Sequence, residues 1–139
     1  MRTLLFVSAL VAAGACSKSE TSSTSTETKA AAVQTITVDQ LDSSLASNDC
    51  QPVDANGEQT RKKMGVIPNA VLLTDSSDFK LTELPADKAK PLVFYCANTE
   101  CGASHHAAEK AITAGYTNVK VLPAGIAGWV QAGKKTQSI

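Results

Sequence analysis

The sequence predicts an α/β domain built on a mainly parallel central sheet. Three observations carry this. From residue 35 to about 133, short apolar runs alternate with stretches of helical spacing, the pattern of strands joined by crossover helices. Pro91-Leu92-Val93-Phe94-Tyr95-Cys96 is the most apolar run of the chain beyond its first residues, and a strand apolar at every position is one covered on both faces. With 139 residues, 43% of them apolar, there is room for one domain with a real core and not for two.

The elements follow in order. Residues 4–13 form an apolar run behind Arg2 and in front of the small residues Gly14 and Ala15, the layout of a signal peptide over residues 1–15. The run is shorter than the ~20 residues a membrane-crossing helix needs, so a permanent span is not expected. Ala13-Gly14-Ala15-Cys16 resembles the lipobox of bacterial lipoproteins, in which the cysteine is acylated and becomes the first mature residue. That resemblance implies a lipid anchor on Cys16 facing the periplasm, and Ser17 at the next position points to the outer rather than the inner membrane. Two or three acyl chains suffice for stable anchoring. Nine of the thirteen residues 17–29 are Ser or Thr, with no aromatic or branched aliphatic side chain to bury, so 16–34 is read as the anchor and its tether.

In the folded part, residues 35–135, Leu41 and Leu45 mark one face of a short helix starting near Asp39 and ending by Asn48-Asp49. Residues 51–54 and 70–73 read as strands, and 91–96 as the central strand. Residues 104–114 read as a helix whose small face is Ala107, Ala108 and Ala111, closed by Gly115. Residues 118–122 are a further strand, 126–132 a last helix closed by Gly133, and 136–139 a tail. The 13 basic and 13 acidic residues cancel and are scattered, which argues against a nucleic-acid partner and against membrane attachment other than by lipid.

In open parallel sheets, chemistry gathers beyond the carboxyl ends of strands, where loops meet helix N-termini. Cys96 stands at such an end, and the helix after its loop directs free N–H groups back toward it, an arrangement expected to lower its thiol pKa. Five residues on, Cys101 admits three readings: a resolving thiol, a structural or inactivating disulfide with Cys96, or a free cysteine. Cys50 precedes the strand ending at Asp54 and is expected at the opposite edge, roughly 10 to 15 Å away by strand rise. His105 and His106 with the two cysteines resemble a soft-metal donor set, but adjacent helical positions diverge, and no metal or cofactor is assigned. Trp129 reads as an apolar plug between the last helix and the sheet.

Val93-Phe94-Tyr95-Cys96, then Ala114-Gly115-Tyr116-Thr117-Asn118-Val119, then Gly125-Ile126 with Trp129 and Ala132-Gly133 resemble the C-terminal half of a single-domain rhodanese. Gly65-Val66-Ile67-Pro68-Asn69-Ala70, preceded by Val53-Asp54, is similar to a stretch in the first half of that family ending Gly-His-Ile-Pro-Gly-Ala. The resemblance covers nearly all of residues 35–135. It implies a three-layer α/β/α fold and a sulfurtransferase in which Cys96 carries sulfane sulfur as a persulfide, acting on a small sulfur-containing substrate and a thiol acceptor. Loop residues Ala97, Asn98, Thr99, Glu100, Gly102, Ala103 and Ser104 are then the candidate substrate contacts, and Asp54 a residue that holds the site together. The chain departs from the family loop, which ends in Arg at the position held here by Cys101. Arg61 is the one Arg after residue 2, and the loop carries Glu100, so thiosulfate lacks a cationic partner there. The same lack argues against a cysteine phosphatase, which grips phosphoryl oxygens with Arg. A different class stays open: a non-catalytic binding or thiol-redox module with a Cys96–Cys101 disulfide.

Overall fold

The computed structural model describes residues 32–139. The residues read from sequence as signal peptide, Cys16 anchor and tether up to residue 31 lie outside the described residues. Strands β1 (Gln34–Thr35), β2 (Gln51–Asp54), β3 (Val71–Leu72), β4 (Leu92–Tyr95) and β5 (Val119–Leu122) form one five-stranded sheet in the order β1-β5-β4-β2-β3. Every neighbouring pair is parallel. Three α-helices, α1 (Val38–Ala46), α2 (Glu58–Met64) and α3 (Ala103–Thr113), lie between strands, and a fourth, α4 (Gly125–Gln131), follows β5.

The central place of β4 follows from its composition. All four of its residues are buried, and side chains alternate between two cores. Phe94 joins Val53, Val121, Leu92 and the small face Ala107, Ala108 and Ala111 of α3 on one side. Val93 and Tyr95 join Leu41 of α1, Ile126 and Trp129 of α4 and Met64 of α2 on the other. The layers are therefore α3, the sheet, and α1 with α2 and α4. Trp129 is buried as expected, and its indole N–H donates to the Lys135 carbonyl at 2.9 Å.

Several boundaries move, each for a local reason. A capping box places the start of α1 one residue earlier than expected: the Thr37 hydroxyl accepts from the Gln40 N–H at 3.3 Å, and the Gln40 side chain accepts from the Thr37 N–H at 3.0 Å. Gln34, read from sequence as tether, pairs with Lys120 in β1. The tail at 136–139 is tied in as well, since Val66 and Gln137 exchange backbone hydrogen bonds of 2.9 and 2.8 Å. Helix α2 is absent from the sequence reading. Its residues Glu-Gln-Thr-Arg-Lys-Lys-Met bury nothing fully and offer no apolar stripe, so nothing in their periodicity announces a helix.

Candidate active site

The register aligns Asp54, Tyr95 and Leu122 side by side. The segments that follow β2, β4 and β5 thus leave the sheet at the same edge. Cys96 is the first residue beyond β4 and is only 2% exposed. Its loop curls back at once: the Cys101 N–H donates to the Asn98 carbonyl at 3.2 Å, and the Glu100 N–H to the Asn98 side chain at 3.1 Å. From the other side the first turn of α4 clasps the loop. The Ile126 N–H donates to the Cys96 carbonyl and the Ala127 N–H to the Ala97 carbonyl, both at 2.9 Å. Gly125 makes this approach feasible. Its φ is +60°, and a Cβ there would lie 2.6 Å from the Cys96 oxygen and the Ala97 carbonyl carbon.

With those carbonyls drawn toward α4, N–H groups of the loop are left for the sulfurs. Backbone N–H groups of Ala97 and Ala103 near Cys101, and of Ser104 near Cys96, favour the thiolate at each. Cys96 Sγ donates to the Cys101 carbonyl oxygen at 3.0 Å and lies 3.3 Å from the buried Ser104 hydroxyl. The two thiols are near enough for each to influence the other's proton. All three described cysteines, Cys50, Cys96 and Cys101, are free thiols.

The acidity of the pair is the reverse of the sequence expectation. Burial pushes the Cys96 thiol up, its hydrogen bond to Cys101 adds to the rise, and the Ser104 contacts only partly offset it. At half-buried Cys101 burial also acts upward, but bonds from Cys96 and from the N–H groups of Ala97 and Ala103 outweigh it and hold that thiol below the ordinary value. The shift toward the thiolate that the sequence assigned to Cys96 falls on Cys101 instead.

The other predicted loop residues divide by exposure. Ala97, Ala103 and Ser104 face the sulfurs, whereas Asn98, Thr99, Glu100 and Gly102 are exposed, with the Asn98 side chain spent on the loop's own backbone. His105 is half-buried, and exposed His106 sits 3.9 Å from Glu109. Among the described residues no cluster of three His, Cys, Asp or Glu side chains is placed to hold a metal ion. Asp54 is fully buried beneath this edge; its carboxylate accepts from the Asn56 N–H at 2.7 Å and from Arg61 Nε at 3.1 Å. Arg61 Nη2 donates to the carbonyls of Asp54 and Leu73 at 3.1 and 2.8 Å. The Tyr95 hydroxyl accepts from the Ile67 N–H at 3.0 Å; burial and the nearby Asp54 carboxylate both push its pKa upward.

Arg61 is therefore committed to the frame below the site and not to the loop. Neither this anchor nor the clasp by Ile126 and Ala127 was visible in sequence. Cys50 lies at the amino end of β2, as expected. It lines a cleft of about 480 Å³ with Asn48, Gln51, Pro68 and Trp129, and burial, followed by the Asp49 charge, raises its thiol pKa.

Solved structures share this architecture. The rhodanese-like domain of an Anabaena protein aligns with TM-score 0.63 and 22% identity, covering 76% of this chain and 79% of that one. A Rhodopseudomonas palustris protein described as a possible tyrosine phosphatase aligns at 0.62 and 23%, over 76% and 85% of the two chains. A thiosulfate sulfurtransferase from Pseudomonas aeruginosa aligns at 0.65 and 18%, over 76% of this chain but 20% of that much longer one. At these identities the likeness is one of fold. No curated protein matches the chain. The model of the rhodanese-like domain matches residues 37–132, which takes in every strand from β2 to β5 and the whole 96–104 loop, and the chain belongs to that family.

Proposed function

We propose that the domain accepts sulfane sulfur from a small persulfide or polysulfide and holds it as a persulfide on Cys96. The observation that supports this best is the loop itself: Cys96 at the end of the central strand, its Sγ 3.0 Å from the carbonyl oxygen of a second cysteine and 3.3 Å from the Ser104 hydroxyl at the start of α3, with no cationic side chain in residues 97–104. In the loading step a Cys96 thiolate attacks the terminal sulfur of R–S–SH, the donor S–S bond breaks, R–S⁻ leaves, and Cys96 carries S–SH. Thiosulfate is a poor donor in this reading, because Arg61 is held by Asp54 and Leu73 and the loop offers Glu100 instead of a cation. A phosphatase reading meets the same obstacle.

Mass spectrometry tests the proposal. Reduced Cys101→Ser given a low-molecular-weight persulfide keeps one added sulfur atom on Cys96, and Cys96→Ser gains none. If neither a sulfur adduct nor any thiol oxidation follows exposure to persulfide and polysulfide donors, the domain is a binding module and not a transferase. The proposal also places the domain outside the cytoplasm on a lipid anchor at Cys16. Detergent partitioning of the wild type, lost in Cys16→Ser, supports that placement, and an unmodified mature N-terminus refutes it.

A further inference from the structure

The loop brings two cysteines together, and the fate of a bound sulfane sulfur follows from how they are held. The loop folds Cys101 back toward Cys96, its N–H donating to the Asn98 carbonyl at 3.2 Å, and leaves its side chain half-buried. Cys96 lies behind it, 2% exposed, with Sγ 3.0 Å from the Cys101 carbonyl oxygen. The Asn98–Cys101 turn and the clasp from α4 fix this curl of the backbone. A sulfur atom added to Cys96 therefore arrives beside a second nucleophile that is already in place, while the solvent-facing side of the site belongs to Cys101.

We propose that this loop releases sulfane sulfur reductively: Cys101 attacks the persulfide on Cys96, forming a Cys96–Cys101 disulfide and expelling hydrosulfide. The inference rests on the Cys96 persulfide proposed above and names its discharge. The Cys101 thiolate forms a bond to Cys96 Sγ, the bond from that Sγ to the outer sulfur breaks, and the outer sulfur leaves with the electron pair and its proton as HS⁻. The sulfane sulfur is reduced by two electrons, and the two cysteines are oxidised by two. An external thiol or dithiol then reduces the disulfide and restores the pair. Should the outer sulfur first hop to Cys101, attack by Cys96 yields the same disulfide and the same hydrosulfide. Two features favour this over onward transfer to a distant acceptor. Cys101 is the more acidic thiol of the pair, its pKa held down while burial raises that of Cys96, which favours Cys101 as the attacking thiolate. The curl already brings the Cys101 backbone against Cys96 Sγ, so closing the bridge needs side-chain rotation more than loop movement.

The test mixes reduced full-length chain with one equivalent of cysteine persulfide, traps free thiols by alkylation, and reads intact mass and released sulfide. Wild type is expected to lose two hydrogen atoms, leave Cys96 and Cys101 unalkylated, and release about one hydrosulfide per chain above the background of Cys101→Ser. Cys101→Ser is expected to keep the added sulfur on Cys96 and discharge it at least about tenfold more slowly. Cys101→Ala, run in parallel, behaves the same way and guards against a local effect of the serine hydroxyl. Wild type that accumulates the added sulfur with Cys101 still open to alkylation and no excess hydrosulfide overturns this inference and leaves the persulfide reading intact. An added sulfur on Cys101 of Cys96→Ser, with none on Cys96 of Cys101→Ser, overturns both.

Discussion

Gly125→Ala perturbs the one contact through which the fold shapes the sulfur site. Gly125 has φ +60°, where an Ala costs about 1–2 kcal/mol. The new Cβ would also stand 2.6 Å from the Cys96 oxygen and the Ala97 carbonyl carbon, both backbone atoms that cannot rotate away. Relief requires α4 and the loop to separate, stretching the two 2.9 Å bonds from Ile126 and Ala127, each worth about 1 kcal/mol. The sum is about 3–4 kcal/mol, a large share of the 5–15 kcal/mol typical of a domain. With a urea dependence of about 1.2 kcal/mol/M for a domain of this size, the midpoint should fall by roughly 2.5–3.3 M. Trp129, the sole tryptophan, lies on α4 and reports the transition by fluorescence. Gly133→Ala is the control: φ is +72° but nothing lies within 4 Å of its Cβ, so about 1 kcal/mol of strain is expected alone. A Gly125→Ala midpoint no lower than that of Gly133→Ala would refute the claim that the clasp is sterically exclusive.

Further outcomes follow from the same geometry. Asp54→Asn leaves the Arg61 guanidinium, which is 11% exposed, facing a neutral partner and should destabilise by about 3 kcal/mol in denaturant titration; a change under ~0.5 kcal/mol would mean that the pair holds nothing together. Because Cys101 is held below the ordinary thiol value and Cys50 above it, iodoacetamide labelling of Cys101 should switch on at lower pH than that of Cys50. The two profiles should merge in urea, where both environments are gone; profiles already coincident in the native chain would contradict the N–H cradle. Ser104→Ala removes the hydroxyl 3.3 Å from Cys96 Sγ and should move the Cys96 titration further upward while shifting stability by only about 1 kcal/mol. A downward movement would mean that Ser104 does not stabilise the thiolate.

Much of the fold was legible because apolar patterning speaks directly about burial. Leu92 to Tyr95 could be read as the central strand since a segment apolar on both faces has few other places to go, and Ala107, Ala108 and Ala111 could be read as a face packed closely on the sheet. Helix α2 was illegible for the opposite reason. Its contribution is a single polar anchor, Arg61, whose partners Asp54 and Leu73 lie 7 and 12 residues away and carry no periodic signal. The edge strand β1 was likewise hidden, because its two residues are exposed and are defined by backbone pairing with β5.

At the site, the sequence by itself determined which atoms are present: two sulfurs five residues apart at the end of the most apolar strand, no cation in the loop, and a helix start behind it. Those are matters of composition and order along the chain. Which of the two thiols is the more acidic was decided by the tertiary structure alone. It depends on 2% exposure at Cys96, on the N–H groups of Ala97 and Ala103 turning to Cys101, and on α4 arriving from some thirty residues downstream to hold the carbonyls away. The preference of a thiol for its proton is set by desolvation and by the direction of nearby dipoles, and both are properties of the packed arrangement rather than of any residue's neighbours in sequence.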